Sequence, residues 1–276
     1  MSRPADVMTA LLTAGAARRV RALATAEVRL LVRNRTAMFT ALALPVLTVI
    51  LLSGIGFGEE TDLPLGAVVV TMLAGFALLY VVYYNLVSAY VARREDLVLK
   101  RLRVGELRDA EILAGTALPS VVVAVAQVVL TAVVAAPAFG MDVPPNALLA
   151  VLGVVGGVVM FVLLAAASTA FTRNVEMAQV STLPVLLLCM GSLIFSGVVV
   201  PADSVPDRVR DVAQFIPLTP IVDLIQLGLT GQTPDGDTVG FAASWAEAAA
   251  PLAVMAAWIA IGAWALRRWF RWEPRG

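Results

Sequence analysis

Six apolar runs, each long enough to cross a bilayer, constrain this chain more than any other feature. They cover roughly residues 37–57, 65–90, 112–139, 147–171, 178–200 and 248–270. About 20 helical residues cross a hydrocarbon core, so each run qualifies as a span. Only helices or closed barrels satisfy their backbone groups in lipid, and runs of this length predict helices. The fold class expected is an all-α polytopic membrane protein. Composition agrees: mean hydropathy is +0.88 and only 14% of residues are charged. A soluble domain carries about a quarter charged residues.

Arginine sets the orientation. Arg3, Arg18, Arg19, Arg21, Arg29, Arg33 and Arg35 precede the first run. Arg93, Arg94, Lys100, Arg101, Arg103 and Arg108 lie between the second and third, Arg173 between the fourth and fifth, and Arg267, Arg268, Arg271 and Arg275 in the tail. Only Arg208 and Arg210 fall on the other side. The positive-inside rule makes the rich side cytoplasmic, and both termini with it. The first apolar run begins only near Met38, so no cleavable leader is expected.

Two flanking regions are amphipathic. In residues 1–36, Leu23, Ala24, Val28 and Leu31 share one helical face, and most arginines lie on the other. That segment predicts a cytoplasmic interfacial helix, with Glu27 breaking its apolar face. Between spans five and six, residues 205–230 hold helical periodicity in pieces too short to span, which predicts short re-entrant external helices.

Several chemistries are excluded. Histidine is absent and Cys189 is the only cysteine, so no metal framework or disulfide is expected. The one lysine, Lys100, has no glycine-rich loop before it, so the chain carries no P-loop of its own. No Asp, Glu, Lys or Arg lies well inside the six runs, although proton- or sodium-coupled carriers generally need such groups at depth. Energy for any transport must then come from another chain. Nothing predicts catalytic residues, and no nucleic-acid partner is expected.

Three stretches carry a family resemblance. The first is Arg93-Arg94-Glu95-Asp96 through Lys100-Arg101-Leu102-Arg103, then Leu107-Arg108 and Ile112-Leu113-Ala114-Gly115. The second is Phe195-Ser196-Gly197 to Pro201, leading to Phe215-Ile216-Pro217-Leu218-Thr219-Pro220. The third is Arg33-Asn34-Arg35 before a span with Leu44-Pro45. In order and spacing the chain resembles the ABC-2 type exporter permeases of the daunorubicin and drug-resistance kind. It departs from them at Ile216, where the family usually has asparagine.

The resemblance implies a domain over residues 37–276 that dimerises, with itself or a paralogue. It implies docking on a separate cytoplasmic ABC ATPase, expected in two copies, which would hold ATP and Mg. The chain would sit in a bacterial inner membrane and export a drug-like or lipid-like amphiphile. The transport path would run mainly between spans two and five. A membrane sensor that transports nothing is the alternative.

The candidate residues follow from that frame. ATPase coupling is expected from Glu27, Arg29, Arg33, Arg94, Glu95, Leu97, Leu99, Arg101 and Arg103. The segment Arg93–Glu111 mixes six basic with five acidic residues, where topology alone needs only basic ones. A solvated loop and a coupling helix both remain open. The path is expected to involve Tyr80, Tyr83, Tyr84, Asn85 and Ser88 on span two, facing Ser181, Ser192, Phe195 and Ser196 on span five. Helix packing is the competing reading for these, and for the Gly153/Gly157 pair on span four.

Overall fold

The computed structural model describes residues 63–98, 109–195, 205–233 and 236–270, together with Thr25, Leu47 and Leu51. The predicted first span and the interfacial segment otherwise lie outside the described residues. Among the described residues the fold is helical. Five helices are long and apolar enough to cross a membrane.

Helix α1, Leu65–Glu95, matches the second predicted span but runs further at its arginine end. Arg93 and Arg94 occupy its last turn, where the negative end of the helix dipole favours cations. Helix α2, Asp109–Ala138, starts three residues before its apolar run. Asp109 and Glu111 sit in its first turn, where the positive dipole end favours carboxylates, so the charged connection is shorter than its sequence limits. The early start also makes Pro119 an interior proline of α2.

Helices α3, Ala147–Ser168, and α4, Val175–Phe195, follow. Short helices α5, Asp207–Ala213, and α6, Thr219–Thr230, come next. Gly231 closes α6 in the left-handed region, φ 70°, which a side chain would resist. An antiparallel bridge, Gln232 to Thr238, turns the chain back. Helix α7, Phe241–Glu247, then leads into α8, Ala249–Trp269.

The bundle is built around α1. In its most apolar stretch 67% of residues are buried, against 17% for α2 and α8 and 33% for α3. The outer helices therefore turn most of their apolar surface outward, as lipid-facing helices do. The core joins Leu78, Leu79, Val82, Tyr83 and Leu86 of α1 to Met160 and Phe161 of α3 and to Ile221, Leu224 and Ile225 of α6.

The two ends of the bundle differ in kind. At one end Tyr90 of α1 meets Phe270, and Phe171 meets Trp269. Arg93, Arg94, Arg173, Arg267 and Arg268 therefore gather there, as the charge segregation predicts. At the other end Gly66 lies against Met141, and Asn146 against Gly228 and Ser244.

Candidate functional site

At the arginine end, the last turn of α1 holds its neighbours through three side chains. Tyr90 donates its hydroxyl hydrogen to the carbonyl of Leu113, 3.0 Å away. Arg93 Nη1 donates to Thr116 Oγ1 at 2.9 Å. Both contacts reach α2. Arg94 turns the opposite way and is 1% exposed. Its Nη1 donates to the carbonyl of Thr169 at 2.9 Å, and its Nη2 to those of Thr172 at 2.6 Å and Arg173 at 3.1 Å. These carbonyls follow the end of α3, where a helix leaves acceptors without internal partners.

Beyond that turn the chain breaks sharply. Leu97 adopts φ 58°, unusual for a residue with a branched side chain, and its N–H bonds the carbonyl of Arg94 at 3.1 Å. Glu95, Asp96 and Leu97 are exposed. Of the expected coupling residues, Glu95 and Leu97 are thus open to a partner. Arg94 is not: its side chain is occupied inside the fold. Glu27, Arg29, Arg33, Leu99, Arg101 and Arg103 lie outside the described residues.

The second group is the middle of α1. Residues Ala77–Tyr84 form a π-helical stretch, a wider turn in which i and i+5 are bonded. Widening puts Tyr84 and Asn85 on either side of the line through Tyr80. Tyr80 is 44% exposed, Asn85 is exposed, and Tyr84 and Ser88 are half-buried. Phe76 stacks on Tyr80 with ring centres 6.0 Å apart. Tyr83, expected on the path, points inward instead. Its hydroxyl shares a hydrogen bond with Ser168 at 3.0 Å, and its ring meets Phe161 edge-on. The wide turn separates the tyrosines into an open set and a packed one.

Span five contributes less to an open face than expected. Ser181 bonds Thr172 Oγ1 at 2.8 Å, and Ser192 bonds Thr219 Oγ1 at 2.5 Å. Both hydroxyls are spent on bonds within the bundle. Phe195 is exposed, and Ser196 is outside the described residues. The structure thus leaves Tyr80, Tyr84, Asn85, Ser88 and Phe195 with surface to offer.

The third group surrounds α6. A Cβ on Gly153 would lie 3.1 Å from Leu224 Cβ, and one on Gly157 would lie 2.9 Å from Ile221 Cδ1. The glycine pair on α3 is a packing groove for α6. Gly228 answers it, with Ala150 N only 2.5 Å from where its Cβ would stand. Gly157 is ten residues into α3, about 15 Å from that helix's start at 1.5 Å per residue. Ile221, near the beginning of α6, is therefore well down the bundle, while Gly228 sits at its rim. Trp258 Nε1, ten residues into α8, donates to the carbonyl of Phe215 at 2.9 Å, at similar depth.

Asp223 stands two residues beyond Ile221, on the face of α6 turned from α3. Part of its surface stays open, yet enough atoms crowd its carboxyl that burial pushes its pKa up to about 7. Gln226, three residues on, is buried, and its Nε2 has no hydrogen-bond partner among the described residues.

Sequence reasoning passed over Gly228, Asn146 and the carbonyls that receive Arg94. Gly228 carried a usable signal, a small residue within an apolar segment next to a chain with paired glycines. The carbonyls carried none, since every residue has one.

No curated protein matches the chain. A family model for ABC-2 type transporters matches residues 18–229, more than half of the length. That interval includes α1 to α5 and nearly all of α6, so it covers both the arginine end and the α3–α6 groove. The chain belongs to the ABC-2 type transporter family.

Proposed function

We propose that this chain is the permease of an exporter, moving an amphipathic drug-like or lipid-like molecule outward through a bacterial inner membrane. A separate cytoplasmic ATPase, in two copies, binds ATP and Mg and drives it. Two permease chains, identical or paralogous, enclose the path. The observation that carries this reading is the open stripe of Tyr80, Tyr84, Asn85 and Ser88 on α1. An otherwise enclosed helix offers there an aromatic surface with polar atoms, which suits an amphiphile.

Three further points support it. The chain has no P-loop, so its family role requires a partner that has one. Glu95 and Leu97 give the arginine end exposed charged and apolar groups for that partner. Helix α6 starts deep in the bundle and rises to its rim, as a re-entrant external helix would. Asp223 then lies on the outward part of the path.

Reconstitution with the ATPase in lipid vesicles tests the reading. Amphiphiles of differing charge are added and ATP hydrolysis and export are measured. Stimulation by at least one amphiphile, weakened by Tyr80→Ala, is expected. ATPase binding without export of any amphiphile would favour the sensor, and Tyr80→Ala with parental transport would remove the stripe from the path.

A further inference from the structure

Consecutive arginines end α1, and topology alone would ask the same of both, a charge left in water. Arg93 bonds a side-chain hydroxyl, Thr116 Oγ1, and keeps part of its surface open. Arg94 is almost fully enclosed. Enclosing a guanidinium costs several kcal/mol unless strong acceptors replace the lost water. A structure that only needed positive charge on this side would leave Arg94 solvated.

The replacement acceptors are the carbonyls of Thr169, Thr172 and Arg173, all in the turn between α3 and α4. The planar fork of a guanidinium can reach several carbonyls at once without adjusting its stem. The negative dipole end of α3 adds attraction for the charge. The turn does not end the chain of contacts. Thr172 Oγ1 bonds Ser181 Oγ on α4 at 2.8 Å and donates to the carbonyl of Ser168 at 3.1 Å. On the opposite side of α1, Tyr90 and Arg93 hold α2. Four helices are thus joined within two turns of where α1 breaks at Leu97.

We infer that Arg94 is a positioning residue that locks the arginine end of α1 to the turn between α3 and α4, so that a push on either connection moves both. This rests on the permease reading, because it assigns the lock a part in passing ATPase motion into the membrane. A separate hinge at each connection would let the ATPase move one loop while the spans stayed still. The lock removes that freedom, and strong charge-assisted bonds to backbone are suited to it because backbone cannot rotate away as a side chain can.

The experiment uses the full chain in complex with its ATPase in lipid nanodiscs. Spin labels replace the exposed Asp96 and Arg173 side chains, giving one pair across the lock. Asp96 and the exposed Asp142, at the opposite end, give a second pair. Distances are measured by pulsed electron resonance without nucleotide and with a non-hydrolysable ATP analogue. The 96–173 distance is expected to stay constant while the 96–142 distance shifts. In an Arg94→Lys background, which keeps the charge but loses the fork, the 96–173 distance is expected to respond to nucleotide. Export per ATP hydrolysed then falls about tenfold, the equivalent of one charge-assisted hydrogen bond.

A 96–173 distance that changes with nucleotide in the parent overturns the inference. So does an Arg94→Lys complex with parental export per ATP. If no ATPase binds the chain, the permease reading fails and the inference with it, an outcome distinct from an active complex whose lock opens.

Discussion

The two ends of the bundle are held by opposite means. At the arginine end, contact is directional: Arg94, Arg93 and Tyr90 reach across with hydrogen bonds to named oxygens. At the other end, α6 lies in a groove where Gly153, Gly157 and Gly228 bring backbones close. Its principal polar tie is Asn146, whose N–H bonds the carbonyl of Gly228 at 3.2 Å and whose Nδ2 donates to Ser244 at 2.9 Å. Within a membrane no hydrophobic drive pulls helices together, so close packing and interhelical hydrogen bonds must do it. Hydrogen bonds predominate at the arginine end and close packing at the other. Directional bonds fix a geometry, because each donor must meet its acceptor in line. Close packing of small residues seats α6 chiefly by the shape of the groove.

The comparison can be broken most easily at Arg94. Arg94→Met leaves the buried carbonyls of Thr169 and Thr172 without their charged donor, and each hydrogen bond to a charged group so lost costs about 1.5–3 kcal/mol. The thermal unfolding midpoint of the purified chain should fall by more than for any glycine variant. An unchanged midpoint would show that the directional bonds are dispensable.

A smaller effect is expected at Gly228. In Gly228→Ala the new methyl meets backbone of Ala150 and the carbonyl of Asn146, neither the tip of a flexible side chain. Overpacking of this kind costs about 1–3 kcal/mol. Gly240→Ala is the control, since nothing lies within 4 Å of its Cβ position. Equal midpoints for the two alanine variants would show that α6 is not seated by close approach.

A third test sharpens the picture of the α6 end and depends on pH. Burial raises the Asp223 pKa to about 7, well above the usual carboxylate range. Folded protein then holds a proton that the unfolded chain releases as pH rises from about 4 to 7, so stability is lost across that window and is level above it. Asp223→Asn abolishes this loss. Its midpoint should match the parent near pH 4, exceed it increasingly up to about pH 7, and keep a constant advantage above that. An advantage that does not vary with pH would mean the carboxyl is freely solvated.

Much of this organisation was legible in residue order. Apolar runs of spanning length located α1, α2, α3, α4 and α8 to within a few residues, because transfer of a helix into lipid depends on summed hydropathy. Errors came at the ends, as at Asp109 and at Arg93 and Arg94, where helix dipoles extend a helix into charged residues of the matching sign. The Gly153/Gly157 pair announced packing but not its partner. Tyr80, Tyr84 and Ser88 followed ordinary helical spacing well enough to be grouped, whereas Tyr83 was misplaced, since nothing in its neighbours signals a π-helical turn.

By itself the sequence determined the helical membrane class, the segregation of arginine to one end and the lack of a P-loop, because each depends only on which residues are present and in what order. Tertiary structure alone decided that Arg94 is enclosed while Arg93 is open, that Ser181 and Ser192 are spent on internal bonds, and that α6 lies against α3. Those outcomes depend on which backbone oxygens and which small residues lie opposite, and that is a property of helices brought together, not of any one of them.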